Sequence, residues 1–239
     1  MKVAVINYTG TVGKTTIAAH LLSPRMNNAP VFAIETINET AEGLGVDVEK
    51  IRGDKFRDLF KKLMLLDDAI VDVGASNVEP FLDGMVRFED SHVEFDYFIV
   101  PVTSGTKEQK ETMAILTVLA DLGIPAAKIR VVFNRVQKDV AEEFGALLTF
   151  LKKNKHCIVN TEAAIFEHEL FDMMAVRKLA IGDALADETD YKALAREEKA
   201  KGENGDSKLI TRYQDLHTIK LGAKPLNRNL DAVFSQLFG

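Results

Sequence analysis

The chain has 239 residues, 46% of them hydrophobic and 28% charged, which suits one large α/β domain with a buried central sheet. Its net charge of −6 argues against a surface coated with nucleic acid, and the single cysteine, Cys157, excludes an intramolecular disulfide and fits a reducing cytoplasm. No run approaches the roughly 20 apolar residues that span a bilayer, and Val3 to Ile6 is too short for a signal peptide, so the expected location is cytoplasmic.

Short β-branched runs alternate with amphipathic helical patterns, as in a doubly wound, mostly parallel α/β sheet. Val3 to Ile6 reads as the first strand, Lys14 to Leu22 as the helix after its loop, and Val31 to Glu35 as the second strand. Phe56, Leu59, Phe60 and Leu63 recur at helical spacing, with Lys61 and Lys62 on the opposite face. Ala69 to Val73 and Tyr97 to Val102 read as buried strands. A helix from Thr106 to Leu122 follows, stopped by Gly123 and Pro125. Ile129 to Phe133 and Cys157 to Val159 complete the expected sheet, with a helix pattern from Asp139 to Leu151 between them. Cys157, inside an apolar stretch, reads as a small buried hydrophobe rather than a reactive thiol.

Residues 1–186 are the expected nucleotide-binding domain, and 187–239 a helical C-terminal extension packed on it. The tail is charged differently from the rest, with a net +3 from Lys199 to Gly239 against −9 before it. That asymmetry permits a local contact with an acidic partner. The final segment puts Leu230, Val233, Phe234 and Leu237 on one helical face. Its polar face carries Asp231, Ser235 and Gln236 instead of Lys or Arg, so packing on protein is expected and membrane binding is not.

The strongest chemical signal is Asn7-Tyr8-Thr9-Gly10-Thr11-Val12-Gly13-Lys14-Thr15-Thr16, set between a strand and a helix. A triphosphate needs curled backbone amides, a cation on its terminal oxygens and a hydroxyl ligand for Mg²⁺. The amides from Gly10 through Thr11 and Val12 to Gly13 are the expected cradle, with Lys14 as the cation and Thr15 as the metal hydroxyl. Thr16 is placed to reach the α-phosphate. The strict G-x-x-x-x-G-K-[ST] pattern fails at its first glycine, which falls on Tyr8. Asp72, ending the buried strand Ala69–Val73, is the expected Mg²⁺-side carboxylate, and the amide of Gly74 the expected γ-phosphate sensor. For the base, Asn134-Arg135-Val136-Gln137 carries a neutral Gln137 where a guanine-selecting motif has a carboxylate. Adenine is therefore expected, its edge paired by the Asn134 amide, which offers both a donor and an acceptor, with Arg135 beside it. The five histidines show no metal-ligand spacing, and His168 reads as a surface residue.

The loop resembles the deviant Walker A motif of the ParA/MinD group of P-loop ATPases, which reads K-G-G-x-G-K-T-T. The strand-end Asp72 and the run Val131 to Val136 fit the same group, and the resemblance spans about residues 1–180. Within it, Val3 to Asn7, Gly13 to Ala18, His20 to Leu22 and Pro24-Arg25 resemble the StbB subfamily of plasmid stabilisation proteins. The resemblance implies ATP and ADP as ligands with Mg²⁺, slow ATP hydrolysis, and a nucleotide-dependent homodimer. It also implies a DNA-binding plasmid-stability partner, and a role in plasmid maintenance and in the balance with conjugation. Direct DNA contact would be confined to the basic tail. The group's signature lysine is replaced here by Thr9, which leaves three options: another cation substitutes, hydrolysis is slow, or the dimer forms differently. For the residue that orients water, the group places an acid after the second strand. Glu35 is the first choice and Glu39 the second. A nucleotide-gated interaction module without useful turnover, and an ATP-dependent ligase on the same fold, are the competing readings.

Overall fold

A computed structural model describes residues 1–35, 48–52, 55–88 and 90–239. Its centre is a parallel sheet of seven strands: β1 (Lys2–Val5), β2 (Val31–Ile34), β3 (Val48–Ile51), β4 (Ala69–Val73), β5 (Tyr97–Val102), β6 (Ile129–Val136) and β7 (Ala164–Phe166). Their spatial order is β3-β2-β4-β1-β5-β6-β7. Every pairing is parallel, and both faces of the sheet are covered.

Side-chain alternation divides the core accordingly. Ala4 and Ile6, Val71 and Val73, and Phe98, Val100 and Val102 face one layer, built on α2 (Phe56–Leu63), α3 (Val78–Arg87), α4 (Thr106–Asp121), α5 (Val140–Glu143) and α6 (Gly145–Asn154). In the other layer, Val3, Val5, Ile70, Ile99 and Val132 meet the helix that follows the first loop, together with α7 (Leu170–Arg177), α8 (Ile181–Ala186) and a 32-residue α10 (Ser207–Phe238). Between the last two runs α9 (Tyr191–Ala200), which packs along α10.

Leu230, Val233 and Leu237 of α10 are buried in this second layer, and Phe234 is packed against it. Burying one such aliphatic side chain contributes roughly 1.5–3 kcal/mol, so the stripe holds α10 on the sheet. Arg25 adds a polar clamp: its guanidinium donates to the carbonyls of His20 and Leu21, to Asn227 and to Asp231, joining the end of the first helix to α10. Among the described residues, no helix is long and apolar enough to cross a membrane.

The differences from the sequence expectation concern two short strands and one helix. Strand β3 carries Glu49 and Lys50 exposed at the edge of the sheet, so it lacks the apolar run that announces a strand. Helix α3 follows an Asp-Val-Gly strand end and also escapes the periodicity reading. Cys157 to Val159 is not the last strand: it contributes only a bridge between Ile158 and Arg130, and the seventh strand is Ala164–Phe166. Three residues give too short an alternation to read. Cys157 is half-buried, and its burial pushes the thiol up to about 12, the behaviour of a packing residue.

The first helix is α1 (Lys14–Thr16), continuing as a π-helical segment (Ile17–Leu22). His20 in that segment is 1% exposed, lies against Phe171, and has no hydrogen-bond partner on either ring nitrogen among the described residues. Burial lowers its pKa from 6.5 to about 4. The folded state therefore holds the neutral ring while the unfolded chain takes a proton, so stability falls as pH drops from about 6.5 towards 4. The full loss is about 3 kcal/mol at 1.4 kcal/mol per unit. His20→Leu is expected to flatten that acid limb, measured as denaturation midpoints across the pH range; an unchanged limb would remove His20 as its source.

Candidate nucleotide site

β1 lies at the centre of the sheet, between β4 and β5, and its chain leads into the glycine loop at the carboxyl end of the strands. Ligand crevices of open α/β sheets form at this end. Gly13 sits at φ +79, the left-handed region where glycine is unstrained, and its carbonyl accepts from Ile17 N to start the helix. Asn134, near the end of β6, departs from the expected pairing with the adenine edge, because both ends of its amide are engaged within the protein: its Nδ2 donates to Val12 O at 2.8 Å, fastening the loop, while its Oδ1 accepts from Arg135 N. A Cβ on Gly13 would collide with that side-chain amide. Gly13→Ala thus combines backbone strain with the loss of the Asn134 tether. We expect it to cost about 1–3 kcal/mol and to abolish nucleotide binding, read by thermal melting and by titration of a fluorescent ATP analogue.

Lys14 is 4% exposed, and its ammonium is curled into the loop, donating to Thr9 O at 2.7 Å and Asn7 O at 3.1 Å. Asn7 is itself locked, with its amide donating to Pro101 O and Thr112 Oγ1 and its Oδ1 accepting from Thr9 N. Tyr8 packs against the core cluster on the far face of the sheet, which explains how the loop accommodates it where the strict motif has glycine. Thr9 is buried with its hydroxyl beside that of Thr11, and Thr11 donates to Glu108 at the start of α4. Gly10 is exposed at the loop tip, and Thr15 and Thr16 are half-buried at the helix start.

Asp72 pairs with Val5 on β1 and ends within reach of the loop. The carboxylate is 3% exposed, and its Oδ1 has no hydrogen-bond partner among the described residues. Burial raises its pKa, against the opposing pull of the Thr15 hydroxyl and the Lys14 charge. A buried carboxylate oxygen left open beside a threonine hydroxyl and a lysine fits a hydrated Mg²⁺ and its phosphates. The donors are all oxygen, the ligand type Mg²⁺ takes.

Glu35 follows β2 on the strand next to Asp72: its N donates to Ile51 O, and the side chain is half-buried at the same end of the sheet. Glu39 lies outside the described residues. Gly74 departs from expectation, because its N–H donates to Ile34 O at 2.9 Å and so extends the β2–β4 ladder instead of facing the loop.

A cleft of about 300 Å³ opens beside Gly13 and Thr16. Asn134 and Arg135 form one wall, and Phe166, His168 and Phe171 the other. Arg135 holds φ +55 where the β6–β7 register shifts, a strained conformation that turns it out of the ladder towards the cleft. His168 accepts from Leu170 N through Nδ1, and Gln137 donates to Glu167. The wall after β7 was missed in the sequence because the last strand was misplaced. The usable signal was Ala163-Ala164-Ile165-Phe166 running into Glu167-His168.

No family model matches the chain, and no curated protein sequence matches it. Solved structures do. A chain of the MinC:MinD cell division complex of Aquifex aeolicus superposes with a TM-score of 0.54 at 13% identity, covering 92% of this chain and 95% of that one. The fold is that of a ParA/MinD-type P-loop NTPase. The cell division ATPase MinD of Pyrococcus furiosus gives 0.51 at 13%, covering 92% and 98%, and apo McdA of Cyanothece gives 0.51 at 14%, covering 94% and 98%. What these chains share with this one is the ParA/MinD-type architecture.

Proposed function

We propose that this chain binds MgATP at the glycine loop and hydrolyses it slowly, as a ParA/MinD-type switch that serves plasmid stabilisation in the manner of the StbB subfamily. The observation that carries the reading is the constellation of Gly13, Lys14, Thr15 and the open, buried carboxylate of Asp72 at one strand end. Support for ATP comes from the fold shared with the cell division ATPase MinD and from the neutral Gln137, which offers guanine no carboxylate.

In this proposal Lys14 and the amides of Gly10 to Gly13 hold the phosphates, Thr15 and Asp72 hold Mg²⁺, and Thr16 reaches the α-phosphate. Arg135 and the Phe166–Phe171 wall take the base. Asn134 serves the base end by fixing the loop, and Glu35 orients water. The protein acts in the cytoplasm as a nucleotide-dependent homodimer, with a DNA-binding plasmid-stability protein as partner.

One observation favours the second reading, a switch without useful turnover. Thr9 is buried and hydrogen-bonded within its own loop, so the signature position supplies no cation to a partner subunit. Two measurements decide. A fluorescent ATP analogue bound with Mg²⁺ should be displaced by ATP and not by GTP; displacement by both would sink the adenine assignment. Phosphate release should rise when the DNA-binding partner and DNA are added, and its absence under those conditions would select the inert switch.

A further inference from the structure

Helices α9 and α10 enclose a second cleft, of about 260 Å³, none of whose residues lines the nucleotide cleft. Along α9, Lys192, Arg196 and Lys199 stand at i, i+4 and i+7, a spacing that puts all three on one face over about 10 Å. All three are exposed, and among the described residues none is paired with a carboxylate. Of the acids on and around α9, Glu198 binds Lys201 and accepts from Asp206 N, Asp187 accepts from Tyr191, and the exposed Glu197 does not line the cleft. Half-buried Ala195, Ile210 and Tyr213 line the same cleft, and no acidic residue does.

We infer that this cleft docks an acidic amphipathic helix of a partner protein. The complementarity is twofold. Three unpaired cations in a chain of net charge −6 make a local field that carboxylates neutralise, and an apolar cleft between two helices accepts the apolar face of a third. Duplex DNA matches only the cations. Phosphates leave the Ala195–Ile210–Tyr213 surface unfilled. The partner's carboxylates lie over Lys192, Arg196 and Lys199, and one apolar side chain inserts beside Tyr213.

The test uses the full chain and a fluorescein-labelled helical peptide of about 14 residues, with leucines on one face and glutamates on the other, followed by anisotropy. A peptide with lysine for glutamate and a short DNA duplex are the comparison probes. The glutamate peptide should bind and the lysine peptide should not. The triple variant Lys192→Glu, Arg196→Glu, Lys199→Glu should weaken binding about tenfold or more while ATP-analogue binding and melting temperature stay unchanged. Tyr213→Ala should weaken it without changing its salt dependence. The inference is overturned if the wild type ignores the glutamate peptide, if the triple variant binds it equally, or if only the duplex binds. It is also overturned if sedimentation shows a self-associated species that the triple variant abolishes, since the cleft would then serve a second copy of the chain.

Discussion

Lys14→Ala is expected to lower MgATP affinity at least about 100-fold, a loss of some 2.7 kcal/mol of charge-assisted contact to the terminal phosphates. The physical reason lies in where the ammonium is held. At 4% exposure, donating to the carbonyls of Thr9 and Asn7, it is fixed inside the curl of the loop, where water screens it poorly. The same substitution strips those two carbonyls of their donor, and the nucleotide-free protein should lose about 1–3 kcal/mol of stability. Lys14→Gln separates the two effects, because it keeps a donor without the charge: stability should return in part and nucleotide affinity should not. The measurement is titration of a fluorescent ATP analogue beside thermal melting of each variant. Binding by Lys14→Ala within about threefold of wild type would remove the loop as the nucleotide site.

Asp72→Asn is expected to do two opposite things. It should stabilise the nucleotide-free protein at neutral pH and abolish the Mg²⁺-dependent part of ATP binding. The native carboxylate is buried with one oxygen unpartnered, so its charged form is disfavoured and its pKa stands above the unfolded value of 3.8. A carboxylate with a raised folded pKa holds its proton longer in the folded state. Its stabilising share is present below pH 3.8 and is lost as pH rises through the raised pKa. At neutral pH the protein carries that cost, and in the proposed site the bound cation would relieve it. The isosteric amide removes the charge, so the variant should melt a few degrees higher without nucleotide and gain little from adding Mg²⁺ to ATP. Melting curves with ATP alone, with MgATP and with neither measure both effects. A variant that still gains the full wild-type increment from Mg²⁺ would remove Asp72 from the metal site.

Much of the candidate site was legible because a phosphate-binding pattern is written in consecutive residues. Gly13-Lys14-Thr15 between a strand and a helix, and Asp72 at the end of a buried run, are statements about consecutive residues. Gly74 was misread for the complementary reason. Its amide is claimed by Ile34, a residue forty positions away that only strand pairing brings near. The role of Asn134 has the same origin: its bond to Val12 spans the sheet from β6 to the first loop. The Phe166–Phe171 wall depends on which short run becomes the seventh strand, and three residues carry too little periodicity to decide it.

Composition and local pattern alone determined the parallel α/β sheet, the glycine loop and the carboxylate that faces it. Each follows from period-two or period-3.6 burial and from the backbone freedom of glycine, which act over a few residues. Tertiary structure alone decided that the Gly74 amide is taken by Ile34, how α10 completes one face of the sheet, and that Lys192, Arg196 and Lys199 share a cleft with Ile210 and Tyr213. Those are meetings of distant segments, fixed by packing and hydrogen-bond satisfaction across the whole core, which no stretch of sequence records by itself.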